Sequence, residues 1–163
     1  MSLVSGLEDR RAAVLAVARI FIGLLFLSVW TYNLGHGYYW TSGYKSFVSI
    51  YAADTRTPLM AGFLRHVVIP NAALFSKLQM VSELALIGIP LTLGLFTPVA
   101  GVVGVVFALN LGLAANGKPH EWMGTYAMLF LLLAMAALTQ AGRTWGVDGR
   151  LLRRYGRPRL PIY

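Results

Sequence analysis

Two ionisable side chains, Arg19 and Glu83, sit inside long apolar runs of this sequence. An uncompensated charge in hydrocarbon costs several kcal/mol, so such groups pair, line a polar pathway or carry chemistry. Arg19 lies about eight residues into its run and Glu83 about twelve into the next. At 1.5 Å per residue each is roughly 12–18 Å deep, approached from opposite surfaces. The expectation is an Arg19–Glu83 ion pair near mid-depth, which would be the catalytic centre. The alternative has Arg19 snorkelling to its own surface and Glu83 protonated.

Polar side chains lead to this centre. Ser76, Gln79 and Glu83 are spaced by three and four, so they share one helix face. Arg19, Gly23, Trp30 and Asn33 fall similarly on one face of the first run. Trp30, Asn33, Gln79, Asn110 and Tyr126 all belong to the same half of their runs. Aromatic walls with a few polar groups suit a flat, partly polar ligand such as a quinone head group. The same stripe serves equally as glue between helices. Glu121 stands where a helix N-terminus favours negative charge, which accounts for it without a ligand. His36, His66 and His120 lie outside the runs, none with a second histidine at i+3 or i+4. They read as structural, and no metal site is expected.

The elements that must hold these residues are membrane helices. Of the 163 residues 57% are hydrophobic and 12% charged, against about a quarter charged in soluble domains. Mean hydropathy is +0.63. Apolar runs at about 12–34, 71–96, 99–115 and 122–141 are each near the 20 residues a span requires. The expected fold is therefore all-α, a polytopic four-helix membrane bundle in a single domain. Leu95-Phe96-Thr97-Pro98 and Asn116-Gly117-Lys118-Pro119 are turn signals, and Pro90 should kink the second helix. Gly104, Ala108 and Gly112 make a ridge for close helix packing. Residues 35–70 form an aromatic outer loop, with short interfacial helices expected at 44–53 and 58–68.

Charge supplies an orientation. The net charge is +8. Arg10, Arg11, Arg143, Arg150, Arg153, Arg154, Arg157 and Arg159 flank the bundle at one end, and only Lys45, Arg56, Arg65 and Lys118 lie in the opposite loops. The positive-inside rule puts both termini, and the basic tail 142–163, in the cytoplasm of a prokaryotic cell. A basic tail on so apolar a chain points to the lipid bilayer, not to nucleic acid. Arg10-Arg11 before an apolar run resembles a signal peptide, but the run is too long and lacks a cleavage site, so it reads as a retained helix. The absence of cysteine excludes dithiol chemistry.

Three stretches carry a family resemblance. Ala18 to Leu27 has an arginine, then a glycine, then an apolar run. Glu83-Leu84 leads to Leu93-Gly94-Leu95-Phe96-Thr97-Pro98. Ala141-Gly142-Arg143 is followed by Gly146-Val147-Asp148. In this order the stretches resemble the DoxX/DoxD-like membrane proteins, and among them the DoxD-type subunit of thiosulfate:quinone oxidoreductase, over roughly 18–151. Asn33-Leu34-Gly35-His36-Gly37 departs from the Gly-x-x-Lys-Leu pattern of many relatives, and Pro90 interrupts the usual Leu/Gly run. The resemblance implies a membrane subunit of a quinone-linked oxidoreductase, with Arg19 and Glu83 as its buried polar centre. No nucleotide, flavin or iron–sulfur motif is present, so the redox partner would be a membrane quinone or another subunit. A non-catalytic accessory or anchoring subunit of a larger membrane complex is the alternative. A transporter is the third reading, disfavoured by the lack of internal repeats.

Overall fold

The computed structural model describes residues 3–156, with side chains from Glu8 onward. Among these residues the chain is helical and contains no strand. Helix α1 spans Leu3–Gly35 and α2 spans Thr41–Asp54. Helix α3 spans Pro58–Phe63 and runs into a π-helical turn, Leu64–Val68. Helix α4, Ala72–Val81, continues through a second π turn, Ser82–Gly88, into α5, Ile89–Leu93. Helix α6 spans Thr97–Ala115, α7 spans Met123–Thr139 and α8 spans Val147–Tyr155.

Three helical stretches are long and apolar enough to cross a membrane: Glu8–Gly35, Ala72–Leu93 and Thr97–Ala115. The fourth, α7, is shorter at 17 residues but equally apolar. The molecule is thus an all-α membrane protein. Its core is Ile22 and Phe26 of α1, Ile87 and Leu91, Ala100 and Ala108 of α6, and Leu133 and Ala136 of α7. Val14, Phe21, Val102, Val106, Leu131 and Leu138 face outward, each more than half exposed, as lipid-facing side chains do.

Close approach of backbones sets the helix spacing. The most extensive packing joins α6 to α7. A Cβ on Gly101 would lie 2.6 Å from the backbone nitrogen of Ala137, and one on Gly104 would meet the Leu133 side chain. Gly112 faces Tyr126 in the same row, so the expected ridge is real and starts one turn earlier, at Gly101. On the other side, Gly23 of α1 packs on Thr92, and Gly88 on Leu27. These pairs fix an antiparallel register in which residue numbers on α1 and α4–α5 sum to about 115.

The kink expected at Pro90 takes the form of the π turn that directly precedes it. A proline cannot donate to the carbonyl four residues back, and the wider turn absorbs that loss. The loop expected at 35–70 holds both short helices. It adds a second small core, with Tyr44, Val48 and Ala52 of α2 against Met60, Leu64, Val68 and Ala72. Arg157 and Arg159, counted above with the basic tail, lie outside the described residues.

Candidate functional site

Glu83 is 2% exposed and lies in the π turn between α4 and α5. Three donors close on its carboxyl group. Asn33 Nδ2 donates to Oε2 at 3.0 Å, Tyr39 Oη donates to the same oxygen, and Gln79 Nε2 donates to Oε1 at 2.9 Å. Asn33 comes from the last turn of α1 and Gln79 from one turn earlier on Glu83's own helix. Tyr39 comes from the turn after α1, where Gly37 takes φ +74° and the Trp40 amide bonds back to its carbonyl. That left-handed step suits glycine and folds the chain back, so Tyr39 is 1% exposed beneath the loop. Its phenol is pushed well above the usual range by burial and by its bond to Glu83. Trp30 packs on Tyr39 with ring centroids 6.2 Å apart, and its buried Nε1 has no protein partner.

A cavity of about 410 Å³ adjoins this cluster. Helix α6 packs on the π turn and α5 but diverges from α4, and the gap forms between them. Gln79, Ser82, Asn110 and the Tyr44 phenol supply its polar groups, and Asn110 is exposed. Tyr44, Phe75 and Phe107 supply aromatic surface, and Leu78, Val102 and Val106 stand at its lipid-facing edge. Glu83 itself borders a second, small cavity of about 70 Å³ with Phe26, Phe107 and Leu129. Gln79 therefore links the carboxylate to the larger cavity. A 410 Å³ space with a few polar groups in an apolar wall is within the size range of small-molecule sites.

The expected Arg19–Glu83 ion pair does not form. Arg19 Nη1 donates to the Leu91 carbonyl at 2.6 Å and the Thr92 carbonyl at 3.2 Å. In the antiparallel register Glu83 faces Asn33, and 14 residues of helix separate Arg19 from Asn33, about 21 Å along the axis. Equal depths reckoned from opposite ends had placed the two together. The error lies at the other end: in this register Ala72, the first residue of α4, lies about eight residues beyond Gly35, so Glu83 is much shallower than a count from its own helix start suggests. Arg19 instead meets the carbonyl end of α5, where a cation complements the exposed C=O groups.

A second buried polar centre surrounds Arg19 at the end of the bundle that carries both termini. Asp148, 1% exposed, accepts from the amides of Phe96 at 2.6 Å and Thr97 at 2.9 Å. It thereby caps α6 and holds Phe96 at φ +47°, a conformation unfavourable for a bulky residue. The Asp148 amide returns a bond to the Gly94 carbonyl at 2.8 Å. No side chain fits at Gly94, Gly142 or Gly146, because each lies against Arg19, Asp148 or backbone.

The residues singled out from sequence thus divide. Asn33, Gln79 and Glu83 are bonded together, Trp30 stands behind them, and Asn110 is across the cavity. Tyr126 does not line that cavity. Its hydroxyl donates to Glu121, which also accepts from Tyr51 Oη at 2.7 Å and lies 3.9 Å from Lys118 Nζ. Glu121 makes no cap bond to α7; it ties the outer loop to the α6–α7 turn. Tyr39 and Asp148 were missed as site residues. Asp148 had a signal, being the sole acidic residue after Glu121. Tyr39 had none, because nothing in Tyr38-Tyr39-Trp40 says which ring turns inward. Among the described residues no three His, Asp or Glu side chains converge as metal ligands.

An all-α membrane bundle with a carboxylate held by three donors beside a lipid-side cavity defines a membrane protein with an internal polar site. The chain belongs to the DoxD family, whose model, described as the TQO small subunit DoxD, matches residues 14–160. No curated protein and no solved structure shows a significant match.

Proposed function

We propose that the chain is a four-span subunit of a quinone-linked oxidoreductase that draws electrons from a reduced sulfur compound such as thiosulfate. The family's description, a thiosulfate:quinone oxidoreductase small subunit, supplies the reaction class. The observation that carries the reading is the 410 Å³ cavity between α4 and α6, largely apolar, with polar groups at Gln79, Ser82, Asn110 and the Tyr44 phenol. A quinone bound there would act as the acceptor of two electrons and two protons. Gln79 and Asn110 would orient its carbonyl oxygens. Glu83 and Tyr39 would hold Gln79 in place and keep a proton within reach. Arg19 belongs to the structural centre around Asp148 in this reading.

The spans and orientation form part of the proposal. Trp122 and Trp145 flank α7 and are 71% and 68% exposed, at the depth of an interfacial aromatic belt. The 17 residues of α7 itself span about 26 Å, close to the hydrocarbon thickness. The basic residues at the terminal end support a topology with both termini in the cytoplasm of a prokaryotic inner membrane. Being a small subunit, the chain would work with a larger one that brings the sulfur compound.

A second reading, a non-catalytic anchoring subunit, draws support from the closed state of the cluster, since both oxygens of Glu83 already have donors. Quinone titration of the purified protein in nanodiscs separates the two. Saturable binding weakened about tenfold by Gln79→Leu or Asn110→Leu, with folding intact, supports the quinone site. No saturable binding leaves the anchoring role.

A further inference from the structure

Helix α8 divides into two faces. Arg150, Arg153 and Arg154 are spaced by three and four, so they share one side, and all three are exposed. Among the described residues none of them has an acidic partner. Asp148, Leu151, Leu152 and Tyr155 fall on the opposite side of the helix. Asp148 fastens that side to the Phe96 and Thr97 amides, and its own amide bonds to the Gly94 carbonyl. The helix is therefore fixed at the turn where α5 ends and α6 begins and does not trail as a free tail. Leu93, Phe96 and Val99 around that turn are exposed apolar side chains, so the lipid-facing surface runs up to α8.

Trp145, just before α8, is an independent sign. It is 68% exposed and its backbone takes φ +53°. Left-handed backbone is unfavourable for so bulky a residue, and an indole in water leaves its apolar ring unburied. The outward aim of the ring has a use where acyl chains meet headgroups, the depth that tryptophan favours. We propose that Trp145 and α8 form a binding surface for anionic phospholipid, with the indole among the upper acyl carbons and Arg150, Arg153 and Arg154 on the phosphate groups. An acidic protein would match the arginines but would leave unexplained why Trp145 points outward beside the lipid-facing side chains of the turn. The proposal is independent of what occupies the cavity between α4 and α6.

Fluorescence quenching by brominated lipid tests this. The full chain is placed in nanodiscs of mixed phosphatidylglycerol and phosphatidylcholine, with bromine near the top of the acyl chains of one lipid or of the other. The difference between the wild type and Trp145→Phe isolates the Trp145 signal. The anionic lipid should be preferred at Trp145 by about fivefold or more, since each arginine at an anionic surface contributes about that factor. High salt should lower the preference. In an Arg150→Gln/Arg153→Gln/Arg154→Gln variant it should fall to about one, as expected from, with the far-UV circular dichroism unchanged. If that variant fails to fold, the salt dependence of the wild type decides. A preference that survives the triple substitution, or is indifferent to salt, overturns the proposal. Equal quenching by the two lipids overturns it as well and leaves an ordinary interfacial anchor. No quenching by either lipid puts this face outside the membrane, overturns the proposal and leaves an acidic protein as the occupant.

Discussion

Asn33 and Glu83 are joined by a 3.0 Å hydrogen bond between the last turn of α1 and the π turn after α4. That bond connects the register of the first two spans to the chemistry of the site. A buried donor or acceptor left without its partner costs about 1–3 kcal/mol. Asn33→Ala and Tyr39→Phe should each lower stability by about that amount. In an Asn33→Ala/Glu83→Leu double variant the loss should be clearly less than the sum, because the acceptor has gone with its donor. Thermal unfolding in detergent of the wild type, Asn33→Ala, Glu83→Leu and the double variant measures the coupling. Simple additivity would show that the bond is not formed.

Asp148 predicts a local opening. Asp148→Ala removes two bonds to the Phe96 and Thr97 amides and should cost about 2–3 kcal/mol. The segment around residues 142–150 should become accessible to limited proteolysis, and the cavity between α4 and α6 should be unaffected. Asp148→Asn, which keeps one acceptor oxygen, should fall between. Equal protease resistance in all three proteins would count against the capping role.

The two packing glycines should differ. A methyl group on Gly101 meets the Ala137 backbone at 2.6 Å, so α6 and α7 must separate. On Gly104 it meets the end of the flexible Leu133 side chain. Gly101→Ala should therefore cost about 2–3 kcal/mol and Gly104→Ala about 1 kcal/mol or less, read as shifts in melting temperature. A reversed order would mean that the close face of α6 is misassigned.

Alkaline pH should unfold the outer loop first. Burial, then the nearby Glu83, pushes the Tyr44 phenol from its ordinary 10.0 to about 12. The folded protein thus keeps a proton that the unfolded chain releases. This stabilisation is complete below pH 10 and is lost as pH rises from 10 towards 12, at about 1.4 kcal/mol per pH unit. Melting temperatures at pH 9, 10 and 11 should fall with increasing slope, and Tyr44→Phe should flatten that slope. Tyr39, raised by burial and by Glu83, acts in the same direction.

The apolar helices were legible in the sequence because hydropathy needs no partner. The polar face of Ser76, Gln79 and Glu83 was legible because helical periodicity is local. The α6 ridge was legible because small residues have few other uses at that spacing. The pairing of Arg19 was not. Depth counted from helix ends carries an error of several residues, and each residue moves a side chain 1.5 Å and about 100°. The partners of Arg19 turned out to be main-chain carbonyls, which no residue type announces. The inward turn of Tyr39 depends on one left-handed glycine, Gly37, in a segment without periodicity. Glu121 was placed at the correct level, but its two tyrosine partners come from separate elements.

The contacts around Arg19 have a consequence for the order in which the protein is made. Arg19 enters the membrane before its partners, and it stays uncompensated until Leu91 and Thr92 follow it in. Even then the turn at Gly94 is not held until Asp148 leaves the ribosome to bind the Phe96 and Thr97 amides. A helix made early is thus secured by a segment made well after it. A nascent chain stalled before residue 148 would have its helices inserted but the Arg19 end of the bundle unlatched, and membrane quality-control proteases would find that end open.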